Sequence, residues 1–127
     1  MGAFSIANLR ELEDMAPRFG FAPALEARFA RRALDCEHVA VSLQRLAPGR
    51  SAPFAHRHSA ASEEIYVVVA GSGRIRVGDE LRELRPWDAV RVAGEAVRSF
   101  EAGPEGLELV AFGPTGLDDV ELLPVGG

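Results

Sequence analysis

The sequence predicts an all-β fold, a sandwich or barrel of short strands, on three observations. From residue 38 onward apolar residues recur with a period near two, so alternate side chains share one face of an extended chain. Turn-forming residues interrupt that pattern at short intervals. The run Ile65, Tyr66, Val67, Val68 and Val69 is β-branched or aromatic throughout and is of strand length.

Taken in order, residues 1–35 read as an arm of mixed character. Residues 9–15 suit one or two helical turns that stop before Pro17. Residues 24–34 have apolar positions near helical spacing, with Pro23 at a helix start, or they form an extended edge strand. A barrel is expected over residues 36–113. Residues 38–46 alternate and end at Pro48 and Gly49. A strand over 64–70 is followed by Gly71, Ser72 and Gly73, a hairpin signal. Residues 74–77 alternate Arg with Ile or Val, so one side faces water, and Gly78 and Asp79 turn the chain again. Strands are expected over 81–85, 88–92, 97–102 and 107–112, the last two separated by Gly103, Pro104, Glu105 and Gly106. Trp87, after Pro86, is placed as a cap on one end of the barrel. Residues 114–127 read as a tail with a short turn near 117–120. No internal repeat is present, so there is one barrel.

Composition narrows the function. The chain has 127 residues, 47% hydrophobic and 26% charged, which suits one globular domain. Its net charge is −5 and its basic residues do not cluster beyond Arg31 and Arg32, which argues against nucleic-acid binding. All 14 basic residues are Arg. The lack of Lys excludes Schiff-base chemistry and a P-loop. No apolar run is long enough to span a bilayer, and the first residues lack the pattern of a signal peptide. Cys36 is the one cysteine, so no internal disulfide forms, and a cytoplasmic location is expected. Cys36 precedes an apolar strand and reads as a buried structural thiol.

The chemistry concentrates between His56 and Gly73. His56 and His58 are two apart, so on an extended backbone both imidazoles face one way. Glu63 and Glu64 stand at the mouth of the next strand. Two His and one carboxylate form a recurring ligand set for divalent metals, with coordination positions left open. His38, the third histidine, reads as an edge or surface residue.

The segment resembles the first signature of the cupin superfamily: Gly, five residues, His-x-His, three or four residues, Glu, six residues, Gly. Here six residues lie between Gly49 and His56, five between His58 and Glu64, and six between Glu64 and Gly71. Glu64 is preferred over Glu63 because spacing along a strand is fixed, whereas a loop absorbs an insertion. The second signature, Gly, five residues, Pro-x-Gly, two residues, His, three residues, Asn, falls on residues 87–102. There Trp87, Ala93, Glu95, Arg98 and Ala102 replace its Gly, Pro, Gly, His and Asn. Arg98 thus stands at the position of the fourth metal ligand, and a guanidinium does not ligate metals.

The resemblance implies a double-stranded β-helix, or jelly-roll barrel, with an N-terminal arm, and a homodimer that exchanges such an arm. It implies a divalent transition metal, iron, manganese, nickel or zinc, on His56, His58 and Glu64. It also implies dioxygenase, isomerase or decarboxylase chemistry on a small, often acidic, molecule. Arg98 is expected either to clamp the carboxylate of an acidic ligand or to pair with Glu64 or Glu63. Tyr66 alternates with Glu64 and is placed at the same cavity. Gln44 is a further candidate ligand contact, although the face it occupies is open. The alternative to a metal-dependent enzyme is a small-molecule binding or sensing module without metal, in which Arg98 pairs with Glu64 and the two His are neutral hydrogen-bonding groups.

Overall fold

The computed structural model of the protein describes residues 2–115 and 120–125. It is a jelly-roll barrel of eight strands: β1 (Leu25–Phe29), β2 (Val39–Leu46), β3 (Ala55–Arg57), β4 (Glu64–Val77), β5 (Glu80–Leu84), β6 (Ala89–Val92), β7 (Arg98–Pro114) and β8 (Glu121–Leu123). One path through the sheet runs β1-β2-β7-β3-β8, while β4 pairs with β5, β6 and β7. All these pairings are antiparallel.

The two long strands shape the barrel. β4 has 14 residues and β7 has 17, and they pair from Ile65↔Phe112 to Val77↔Arg98. The glycines expected to end strands instead bend them. Gly71, Ser72 and Gly73 do not form a hairpin: β4 continues through them with a register shift against β7. The two strands expected over 97–102 and 107–112 are likewise one strand. The bend is visible in the burial. On β4 the buried residues Tyr66 and Val68 are even-numbered before it, and buried Ile75 is odd-numbered after it. On β7 buried Arg98 and Phe100 give way to buried Leu107, Leu109 and Ala111. Changing the register by one residue exchanges the two faces of a strand. Facing irregularities therefore let both strands keep their apolar residues on the core side all along.

Glycine is needed there for two reasons. Gly71 has φ +75° and Gly106 has φ +85°. A Cβ on Gly71 would stand 2.0 Å from the Gly106 carbonyl oxygen, and one on Gly73 would stand 2.1 Å from that of Glu101. A hairpin and a bend between two layers can both demand positive φ at a glycine, and here the bend makes that demand at Gly71.

The core joins Leu25, Leu46, Tyr66, Val68, Ile75, Leu84, Val92, Phe100, Leu107 and Leu109. The first residues lie along the barrel. Residues 9–15, expected to be helical, hold one 3₁₀ turn, Leu9–Glu11, and Pro17 lies inside a second, Ala16–Phe19. Residues 24–34 divide into strand β1 and a helical turn α1 (Arg31–Leu34). β1 joins the sheet through β2, from Leu25↔Leu46 to Phe29↔Ser42. Asp14 stitches this segment down: its Oδ1 accepts the N–H of Ala16 at 3.0 Å and of Ala27 at 2.9 Å. Arg10 pairs with Glu108, a buried carboxylate on β7. Cys36 is half-buried. His38 is exposed. Trp87 does not cap the core: it is 76% exposed, with φ +74°. Of the turn expected at 117–120, all but Val120 lies outside the described residues.

Two substitutions separate the cost of positive φ from the cost of close approach. Gly78, with φ +57° and open space around its Cα, should cost about 1 kcal/mol when changed to Ala. Gly71→Ala should cost roughly 3 kcal/mol or more, because the bend must open as well. Urea denaturation of the two variants reads the difference, and equal costs would show that the bend yields freely.

Candidate metal centre

Three separate segments bring the site together. His56 lies on β3, opposite Arg98 on β7. His58 follows that strand, and its backbone N–H donates to the Gly94 carbonyl at 2.7 Å. The chain then turns, Ser62 N–H to Ser59 carbonyl at 3.0 Å, and re-enters the sheet at Glu64, the first residue of β4, opposite Val92. The extra residue relative to the cupin spacing thus lies in a loop closed by its own hydrogen bond. Gly94 packs on that loop so tightly that a Cβ would stand 1.8 Å from the Ser59 carbonyl oxygen.

One carboxylate oxygen, Glu64 Oε1, is the point of convergence. Tyr66 Oη donates to it at 2.5 Å. His58 Nε2 lies 3.1 Å away, His56 Nε2 3.4 Å and Arg98 Nη2 3.8 Å. The two imidazoles stand edge to face, with centroids 5.2 Å apart. Tyr66 Oη is also 3.2 Å from His56 Nε2. A Tyr66–Phe100 ring contact, centroids 4.8 Å apart, fixes the phenol. Arg98 is wholly buried, and its Nη1 and Nη2 donate to the carbonyls of Gly94 and Ala93, each at 3.1 Å. Its Nε has no hydrogen-bond partner among the described residues.

The environment sets the charges. Burial pushes the Glu64 carboxyl up, but hydrogen bonds from His56 and Tyr66 and the charges of His58 and His56 outweigh it and hold the group below its ordinary 4.5. Burial, and then the Glu64 charge, push the Tyr66 phenol well above its ordinary 10.0, against the opposing influence of Arg98. Tyr66 is therefore a neutral donor and Glu64 an anion throughout the neutral range.

The ligand set fits a metal ion. His56, His58 and Glu64 each offer one ligating atom, all within 4.8 Å of one another. Neighbouring ligands at about 2.1 Å from an octahedral ion stand about 3 Å apart, close to the two His–Glu separations. The cation of Arg98, whose Nη2 is 3.8 Å from Glu64 Oε1, would oppose an ion at that oxygen.

The other expected residues divide. Tyr66 and Arg98 belong to the cluster. Gln44 is on the inner side of β2 and lines a cleft together with His56. Glu63 is not brought to the site, because its side chain faces solvent and pairs with Arg91. Three contributors carried no sequence signal: the Ala93 and Gly94 carbonyls, which the backbone supplies whatever the residue, and Phe54, whose ring lies 5.9 Å from that of His56. The cleft is narrow, with room for little more than water. Leu25, Leu46, Ala52, Phe54, Phe100 and Leu109 line it, with Gln44, Ser99 and His56.

A family model of the cupin domain matches residues 42–112, more than half of the chain, and the chain belongs to that family. No curated protein matches the sequence. Among solved structures, a cupin protein from Bacteroides fragilis is 22% identical with a TM-score of 0.72, over 90% of this chain and 86% of that one. A polyketide cyclase from Streptomyces resistomycificus is 17% identical with a TM-score of 0.75, over 96% and 87%. A variant oxalate decarboxylase of B. subtilis is 19% identical with a TM-score of 0.76, over 97% of this chain and 34% of that one. At these identities the likeness is one of fold.

Tyr66→Phe removes one charge-assisted hydrogen bond from Glu64 while keeping the ring. The variant should lose about 2 kcal/mol at neutral pH. Sign follows from the depressed carboxyl: its contribution is present above 4.5 and fades as pH falls through the lower folded value. With one donor gone the folded value rises, so the difference between the two proteins shrinks as pH is lowered. Urea midpoints from neutral to acid pH read this, and a pH-independent difference would mean that Tyr66 acts through packing alone.

Proposed function

We propose that this cupin holds one divalent transition metal ion, iron, manganese, nickel or zinc, on His56, His58 and Glu64, and acts on a small molecule bound in the barrel. The observation that carries the reading is the convergence of three ligating atoms, from two strands and a loop, within 4.8 Å. Bound there, the ion supplies Lewis acidity and open positions for a substrate. Dioxygenase and isomerase chemistry are the reaction types to assay first, as the family resemblance suggests.

The protein's own residues have definable tasks. Tyr66 fixes the Glu64 carboxylate and keeps it ionised. His56 and His58 present Nε2 towards the same oxygen. Arg98 acts as a positioning residue, because it holds the Gly94 carbonyl that also receives the His58 N–H. Its two terminal nitrogens are engaged with carbonyls, which favours a role within the protein over a clamp on a substrate carboxylate.

A second reading has one observation in its favour. Arg98 Nη2 stands 3.8 Å from Glu64 in the place of a fourth ligand, so a cation already faces that carboxylate. On that reading the barrel is a metal-free binding or sensing module. Metal content after loading with excess ion and desalting separates the two. About one ion per chain is expected for the protein and less than a tenth of that for His58→Ala, with unchanged circular dichroism. Equal content in both, or none in either, would leave the binding module.

We further propose a cytoplasmic homodimer, with residues 1–35 as an arm on the barrel of residues 36–113. No helix among the described residues is long and apolar enough to cross a membrane. The outer faces of β2, β7 and β4 carry Val39, Phe112 and Ile65, which are 64%, 43% and 42% exposed. Phe112 lies opposite both Val41 and Ile65, so the patch is continuous across three strands. Light scattering should give twice 13.6 kDa for the protein and 13.6 kDa for Phe112→Glu. A monomeric parent protein would refute the dimer.

A further inference from the structure

A row of rings leads from the N-terminal segment to the two histidines. Centroids are 6.3 Å apart from Phe19 to Phe21, 4.6 Å from Phe21 to Phe54, 5.9 Å from Phe54 to His56 and 5.2 Å from His56 to His58. The shortest of these steps joins the segment to the barrel, because Phe21 precedes β1 and Phe54 precedes β3. Tilted phenylalanine pairs at such a distance attract one another beyond the area they bury. Phe21 has a fixed place. Its N–H donates to the Ala16 carbonyl at 2.9 Å, and its own carbonyl accepts from the Leu25 N–H at 3.0 Å. Ala16 is wholly buried, and Leu25 pairs with Leu46 in the sheet.

His56 shows why such a support matters. Among the described residues, every hydrogen bond of its ring is made by Nε2, to Glu64 and Tyr66. A ligating histidine is ordinarily oriented by a hydrogen bond from the ring nitrogen that does not ligate. Nε2 is the nitrogen turned towards the ion site, so here the ring contact of Phe54 stands where that second hydrogen bond would be. We propose that Phe21 and Phe54 are positioning residues for His56, so that the N-terminal segment belongs to the metal centre. The inference rests on His56 being a metal ligand. Neither phenylalanine touches the ion. Each acts through the imidazole, which loses less rotational freedom on binding when its orientation is already set.

Two measurements test this on the same samples. In metal-free protein, the ring C–H signals of the three histidines are followed by NMR. Phe21→Ala should shift or split the His56 signal and leave that of exposed His38 in place. In the second measurement cobalt(II) is titrated against a chelator and its visible absorption recorded. Phe21→Ala should bind cobalt about tenfold more weakly with an altered spectrum, and Phe21→Tyr, which keeps the ring, should restore both. Phe54→Leu removes the middle ring, should act as Phe21→Ala does, and serves should that variant fail to fold. Phe29 lies in the same segment outside the row and is 50% exposed, so Phe29→Ala should match the parent protein. An unmoved His56 signal in Phe21→Ala and Phe54→Leu, or an equal loss of affinity in Phe29→Ala, would overturn the proposal. A parent protein that takes up no cobalt would remove the metal centre, and the NMR of metal-free protein would still decide whether the two phenylalanines orient His56.

Discussion

Arg98 is a guanidinium with no exposure to water, and the parts of the site are arranged so that it can exist there. A buried cation needs compensation from opposite charge and from acceptors on its N–H groups. The Ala93 and Gly94 carbonyls supply acceptors and Glu64 supplies the charge. Gly94 in turn takes the His58 N–H, so one carbonyl joins the guanidinium to the backbone of a candidate ligand. A lysine would not span these partners, because its single ammonium lacks the planar fork that reaches two carbonyls side by side. The turn between β6 and β7, the loop after β3 and the start of β4 are thereby held in one arrangement.

That arrangement has an electrostatic cost and a use. A divalent ion on the two histidines and Glu64 would share its neighbourhood with a permanent cation, so Arg98 lowers affinity where a histidine in its place would raise it. Glu64 is the group that makes the two compatible. It is half-buried, yet donors on three sides keep it ionised, and an ionised carboxylate is what both cations require. Tyr66 contributes a proton-bearing oxygen that burial and the nearby anion prevent from ionising, so it adds a hydrogen bond without adding charge.

Much of this was legible in the order of residues. Alternation gave most of the strands, and the two-residue step between His56 and His58 gave a shared face. Spacing along β4 favoured Glu64 over its neighbour, and the structure brings Glu64 to the histidines while Glu63 pairs with Arg91. Other features were hidden for definable reasons. Gly71 and Gly106 announce positive φ, but the same requirement serves a hairpin and a bend, and only the opposing strand distinguishes them. Residues 24–34 carry apolar spacing that fits a strand and a helical turn equally, and the free edge of β2 decided for a strand over Leu25–Phe29. The acceptors of Arg98 are backbone carbonyls, which have no letter in a sequence. The side of the sheet on which Gln44 lies depended on how β1 and β7 flank β2, which alternation alone does not set.

The pairing of Arg10 with Glu108 spans 98 positions. On a ribosome, Arg10 is made early and its counterpart very late. The core pairings have the same character: β2 waits for β7, and β7 also supplies the partner of β4. β1 can pair with β2, and β4 with β5 and β6, as the chain grows, but these pieces join only when β7, the last long strand, appears. The ion pair of Arg10 with the buried Glu108 is therefore among the last contacts that the chain can make.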